Sequence, residues 1–356
     1  MTTAAAQKPR ARNGLSRAER FRNRGRWARS PAVLRRLLPA SLLLPLALAR
    51  SAPGPMPVMP DQPIHIRATP VALDSADPAR RDVGRLRYLG GWSLTSDERW
   101  LGGLSGAAMA KGEIVAVSDA GALLRIGIEG GKPDGRGHIL PLPPGCGDGA
   151  LKRDRDAEAL TGEPGTNRIW ISLERRNAIC RLNGLRHAEA EVFPPQIADW
   201  PESAGGEALL RTADGRFLLW SESPLGRDRS YRLLRFDRDP AASGVNVEEM
   251  GWRAPPGYRP VEAAALPDGR MIVLHRRFTF LGGFSAVLTI VDPARLVAGR
   301  IVEPEEVARF EGSLIRDNYE ALAVSREGGR TIVWIMSDDN FHFLERTLLL
   351  KFALTG

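Results

Sequence analysis

The 356-residue sequence predicts an all-β fold: a single β-propeller of five visible blades, with room for a sixth, preceded by a signal peptide and a Pro-rich linker. Three observations carry this reading. A short motif recurs at near-even spacing, each copy is written as a hairpin, and helix-period stretches are almost absent beyond the first fifty residues. The copies are Leu104-Ser105-Gly106-Ala107, Ala157-Glu158-Ala159-Leu160, Gly206-Glu207-Ala208-Leu209, Val261-Glu262-Ala263-Ala264 and Tyr319-Glu320-Ala321-Leu322, and their key positions stand 53, 49, 55 and 58 residues apart. Fixed-period repetition of a four-stranded unit builds a propeller, with its blades set radially around a channel.

Residues 1–50 form a basic leader, with 12 Lys or Arg against one acid, Glu19. The net charge of +8 therefore leaves residues 51–356 at −3, which excludes a basic nucleic-acid-binding domain. Arg24, Arg26, Arg29, Arg35 and Arg36 precede an apolar run from Leu37 to Ala49 that ends in the small-residue site Ala47-Leu48-Ala49, the order of a secretory signal peptide. The run is short for a membrane span, which needs about 20 apolar residues. A periplasmic or secreted protein is expected, exported by the general or the twin-arginine route, with no membrane span after cleavage. Residues 51–83 carry seven prolines and read as an extended linker in which Ile64 to Leu73 could hold an edge strand.

Residues 84–356 make up the propeller domain, with Leu86–Trp92 and Thr347–Leu354 as the strands that close the ring. Each motif is followed by a turn signal, Lys111-Gly112, Pro164-Gly165, Asp214-Gly215, Asp268-Gly269 or Gly328-Gly329, suited to tight hairpins. An apolar run then ends at a polar residue: Asp119, Glu174, Glu222, Arg276, or Asp338 with Asp339. The second strand of a hairpin runs back beside the first, so the opening and closing residues share one end of the sheet. Every blade thereby delivers its marked residues to one mouth of the channel. Pro293 to Ala298 has room for a turn of helix, and Pro194–Ser203 is too rich in proline for one.

Leu89-Gly90-Gly91-Trp92, Gly102-Gly103-Leu104-Ser105-Gly106, Asp156-Ala157-Glu158-Ala159-Leu160, Asn318-Tyr319-Glu320-Ala321-Leu322 and Ser337-Asp338-Asp339-Asn340-Phe341 together resemble the phytase-like family described as having esterase-like activity. The resemblance runs from about Arg85 to Phe352. It implies a bacterial envelope protein with remote kinship to calcium-dependent propeller phytases, which hydrolyse phosphate esters at an acid-lined mouth.

Crowded carboxylates repel one another unless a hard cation lies between them, and calcium takes six to eight oxygens in flexible geometry. The metal-ligand candidates are Asp156, Glu158, Glu207, Glu262, Asn318, Glu320, Asp338 and Asp339, and the catalytic candidates are Glu158, Glu320 and Asp338. In the competing reading each glutamate caps a blade by accepting backbone N–H bonds. Arg175, Arg276 and Arg346 are the candidates for binding an anionic substrate; Arg276 stands out because it replaces the acid that closes the strand in other repeats. Ser105 lacks the Gly-x-Ser-x-Gly elbow of a serine hydrolase and reads as a small residue opening its blade. No histidine shows zinc-ligand spacing. Cys146 and Cys180 permit one disulfide in an oxidising compartment, the alternative being two independent thiols. The expected function is calcium-dependent hydrolysis of phosphate or related esters by a monomer with no nucleic-acid partner. The alternative is a non-catalytic envelope propeller that binds a ligand or a protein.

Overall fold

The computed structural model describes residues 58–149, 151–224, 229–342 and 344–356; the leader, on which the expected export signal and cleavage site fall, lies outside them. Each of the five motifs begins the inner strand of an antiparallel sheet: Leu104–Ala110, Ala157–Gly162, Gly206–Arg211, Arg259–Ala265 and Asn318–Glu327. Each inner strand touches the next around a ring, and the fifth touches the first. The described residues form five blades and no sixth. The surplus length of the repeats goes into loops and extra outer strands, such as Ile301–Val302, which pairs parallel to Val247–Trp252 in blade 3.

The second strands of the blades are Glu113–Ser118, Arg168–Leu173, Phe217–Pro224, Met271–Thr279 and Arg330–Asp338. They read as near-continuous apolar runs because a neighbouring blade covers each face of the sheet. Successive residues alternate between two cores. Trp170 packs with Phe217 between blades 2 and 3, and the next residue, Ile171, packs with Val117 between blades 1 and 2. Val273 joins Trp220 and Trp252 between blades 3 and 4, and Leu274 joins Phe310 and Tyr319 between blades 4 and 5. Trp334, Ala107 and Ile126 close the fifth core, between blades 5 and 1. Full burial of each large apolar side chain contributes about 1.5–3 kcal/mol, which makes these inter-blade layers the main source of stability. Where blades 1 and 2 meet, a Cβ on Gly106 would lie 2.6 Å from the backbone nitrogen of Leu160, so the ring needs glycine there.

Both chain ends complete blade 5. Leu348–Leu354 lies between Arg330–Asp338 and Leu86–Thr95, with Leu350 opposite Gly91 and Leu354 opposite Leu86. These are the strands the sequence nominated for closure. The described part of the expected linker is built into the propeller instead of standing off from it. Gln62–His65 pairs with Lys132–Pro141 at the outer edge of blade 1, and Arg67–Pro70 pairs with Leu86–Thr95 at the edge of blade 5. Edge strands tolerate the prolines Pro63 and Pro70, which a central strand would not. Helical structure among the described residues amounts to three 3-10 turns, at Lys152–Asp154, Pro195–Ile197 and Pro293–Arg295. The second falls in the proline-rich loop expected to be wholly non-helical, where Pro195 takes the first helical position. No helix among the described residues is long and apolar enough to cross a membrane. Cys146, in the loop entering blade 2, is disulfide-bonded to Cys180 on that blade's third strand, with the Cα atoms 5.7 Å apart.

Candidate functional site

The inner strands carry a bulge where they enter the channel. In blade 1 Leu104 and Gly106 pair with Ser118 and Val117, leaving Ser105 without a partner. The same slip leaves out Glu158 in blade 2, Glu207 in blade 3 and Glu320 in blade 5. A bulge re-aims the extra residue and ends regular pairing. The closing residues are held just as repetitively: the backbone N–H groups of Asp119, Glu174 and Glu222 donate to the carbonyls of Gly103, Asp156 and Gly205 at 2.9, 2.9 and 3.1 Å.

Blade 4 departs from this pattern. Its bulge falls on Val261, so Glu262 is one place out of step with Glu158, Glu207 and Glu320 and pairs regularly with Leu274. The sequence alignment that equated Glu262 with the other glutamates is therefore corrected by one residue. Glu262 is fully buried; its carboxylate accepts from the N–H of Ala263 at 2.9 Å and from that of Ala107 in blade 1 at 3.3 Å, with Leu160 of blade 2 as a further backbone partner. It is a backbone cap tying three blades together, and it lies outside both carboxylate triads found among the described residues.

Around the mouth the charges fall into two groups. Arg276, its side chain 12% exposed, donates to Glu320 at 2.6 Å and to the side-chain oxygen of Asn318, whose amide nitrogen donates to Asp338 at 3.2 Å. Asp156 is held by Arg175 at 2.5 Å and lies 3.6 Å from Lys152, which also meets Asp119 at 2.5 Å. Arg259 pairs with Glu222. Between these anchored charges stand Glu158, Glu174 and Glu207. Carboxylate oxygens of Asp156, Glu158 and Glu174 lie within 4.8 Å of one another, as do those of Glu174, Glu207 and Glu222. Glu174 belongs to both triads.

The electrostatics record this crowding. Burial first, then the charges of Glu207 and Asp156, push the Glu158 carboxyl well above the usual range; Glu207 is raised likewise by burial and then by Glu222 and Glu174. Glu174 rises to about 7 through burial, Glu222 and Asp156. Glu222 also reaches about 7 through burial, although Arg276 pulls it down. Asp338 rises to about 9 through burial and then the charge of Glu320. Burial would lower the pKa of Arg276, but Glu320, Glu207, Glu222 and Asp338 outweigh it and keep the guanidinium charged.

The structure thus brings Asp156, Glu158 and Glu207 of the expected ligand set together. It sets the others apart. Glu320 is taken by Arg276, and Asn318 bridges Arg276 to Asp338, which also accepts from the Asn340 N–H at 2.6 Å. Asp339 accepts from Gly103 N–H at 3.1 Å and Thr347 hydroxyl at 2.8 Å, binding the blade 5 loop between Arg330–Asp338 and Leu348–Leu354 to the entry of blade 1. Of the arginines, Arg276 and Arg175 stand among the mouth acids. Arg346 pairs with Asp317 at 3.0 Å. The residues the ligand list left out are Glu174 and Glu222, and the signal for them was present: both close the second strand of their repeat. Lys152 and Arg259 carried no comparable pattern. The paired triads offer only carboxylate oxygens, the donor chemistry of a hard divalent cation such as calcium.

Fold and site together define an acid-mouthed five-bladed propeller. A family model for phytase-like proteins, described as esterase-like activity of phytase, matches residues 99–341, and the chain belongs to this family. No curated protein matches it. Among solved structures it is similar to glutaminyl cyclase from Myxococcus xanthus, at 13% identity and TM-score 0.44 over 83% of this chain and 97% of that one. It is also similar to a DUF4221 family member from Bacteroides vulgatus, at 8% identity and TM-score 0.40 over 77% and 99%.

Proposed function

We propose that this phytase-like propeller is an exported hydrolase of phosphate or related esters that works at the acidic mouth with a bound calcium ion. One observation carries the reading: Glu158, Glu174 and Glu207 converge in two overlapping carboxylate triads, and the carboxyls of these three are pushed upward by burial and by one another, a crowding that a bound cation would relieve. Asp156, Glu158 and Glu174, or Glu174, Glu207 and Glu222, would hold it. The ion would neutralise this cluster and polarise an ester oxygen of the substrate. Arg276 keeps a positive charge at the blade 5 side of the mouth, and Arg175 supplies a second on the blade 2 side. Glu320 and Asn318 fix the first guanidinium, and Asp156 fixes the second.

Calcium titration of the purified protein, read by thermal melting and by a phosphatase and esterase panel with and without chelator, tests this. Calcium at a hundredfold excess over its Kd should stabilise by about 2.7 kcal/mol. The shift should be larger at pH 8 than at pH 6, because the ligands must lose their protons to bind. Glu174→Gln, which removes a ligand from both triads, should abolish the shift. If calcium leaves both melting and turnover of the unmodified protein unchanged, the acids are channel-lining groups without an ion. The propeller then acts as a non-catalytic binding module, a reading favoured by the engagement of Arg276 and Arg175 with protein acids.

A further inference from the structure

The second hairpin of blade 4 is unlike those of blades 1 and 2 at the mouth. Blades 1 and 2 turn back at once, between Ser118 and Ala122 and between Leu173 and Ala178. Blade 4 continues pairing beyond Arg276, through Arg277 opposite Ser285, Phe278 opposite Phe284 and Thr279 opposite Gly283. Its apex is Phe280-Leu281, exposed at 94% and 97%, and Phe278 just below is 61% exposed and packs on Phe284 at 4.9 Å. No inter-blade core includes these side chains. On the neighbouring blade, Phe341 and Leu344 are also exposed in the loop at the same mouth.

Two guanidiniums flank this tip. Arg277 stacks over Tyr258 at 4.4 Å and donates to the Ser285 hydroxyl at 3.2 Å. Arg316, from the entry of blade 5, donates to the carbonyls of Gly282 at 2.9 Å and Phe284 at 3.3 Å, bracing the hairpin from the side. Neither is ion-paired to a carboxylate among the described residues. An apolar apex above a collar of cations has the complementary order to an anionic bilayer, with phosphates outside and hydrocarbon beneath. The tip is convex. A protein partner would need a groove to receive it, whereas a lipid surface takes a protruding wedge. Four extended residues carry the apex about 13 Å beyond Arg276, more than the Debye length of about 8 Å, so the acidic mouth does not prevent approach.

We propose that the blade 4 hairpin, through Phe280 and Leu281 with Arg277 and Arg316, docks the propeller on an anionic membrane surface, mouth towards the lipid. This is independent of whether the mouth is catalytic. No free cysteine exists in the described chain, so Phe280→Cys can be labelled selectively with an environment-sensitive fluorophore in the non-reduced protein starting at Arg50, the compact unit freed of the basic leader that would itself bind anionic vesicles. Arg330→Cys, at the opposite end of blade 5, serves as the control. Vesicles of phosphatidylcholine with phosphatidylglycerol should raise and blue-shift the emission at position 280 but not at 330, and pure phosphatidylcholine should act far more weakly. Phe280→Ser with Leu281→Ser should lower vesicle affinity by about tenfold or more with unchanged melting, since two large apolar groups no longer leave water. Unaltered emission at 280 while the protein co-sediments with vesicles would show docking through another segment and overturn the proposal. So would the absence of vesicle binding, or equal binding by the double variant.

Discussion

Blades 2 and 3 bring the same repeat to the channel as blade 4 and use it in the opposite sense. In blades 2 and 3 a glutamate sits in the bulge, Glu158 or Glu207, and another closes the second strand, Glu174 or Glu222. In blade 4 valine sits in the bulge, the glutamate follows one place later, and Arg276 takes the place of the second glutamate in a strand that runs on to Thr279. That one-residue displacement turns Glu262 from a mouth acid into a buried cap. Arg276 then supplies the positive charge that holds Glu320. A slip of one place in a strand changes which side of the sheet a residue serves, so identical letters in a repeat do not guarantee identical roles.

Breaking blade 4's cation should have the largest effect. Arg276→Met would leave Glu320 and its acidic neighbours uncompensated in a buried setting, at a cost of about 3–5 kcal/mol in chemical denaturation. Adding Glu320→Gln to that variant should recover part of the loss. A full loss in the double variant would show that Arg276 acts through packing alone.

The cap comes next. Glu262→Ala would strand the N–H groups of Ala263 and Ala107 and cost about 3 kcal/mol or more, whereas Glu262→Gln keeps an acceptor and should cost under about 1 kcal/mol. Burial pushes the Glu262 carboxyl well above its usual range despite its backbone donors, which is why the neutral amide is a fair substitute. By contrast, Glu207→Gln in blade 3 should stabilise the calcium-free protein by relieving repulsion. If the two glutamines behave alike in melting experiments, the distinction between cap and mouth acid fails.

The mildest test is pH. Glu174 and Glu222 have folded-state values of about 7 against an ordinary 4.5, so the folded protein binds more protons than the unfolded chain between those values. Their stabilisation is fully present below about pH 4.5 and is lost as pH rises through 7. Asp338, at about 9, extends the loss further. Calcium-free protein should therefore melt lower at pH 8 than at pH 5.5, and Glu174→Gln or Glu222→Gln should flatten that slope. Glu262→Gln, a change within blade 4 away from the triads, should leave the Glu174 and Glu222 part of the slope in place.

The propeller was legible in the sequence because its cause is local and repeated. Gly-containing turns, apolar runs and the even spacing of Ser105, Glu158, Glu207, Glu262 and Glu320 each act within a few residues, and five copies reinforce one pattern. The closing strands at Leu86 and Thr347 followed from the need of a ring to join its ends. Tertiary structure alone decided the blade 4 register, in which a bulge on Val261 instead of Glu262 accompanies the reach of the Glu262 carboxylate to the Ala107 N–H of blade 1. It also decided the partners. Glu320 and Arg276 are 44 residues apart in the chain and 2.6 Å apart in space. Asp156, Glu158 and Glu174 converge with Glu207 and Glu222 because neighbouring blades lean together at the channel, and carboxylate crowding is a property of distances that no single repeat contains.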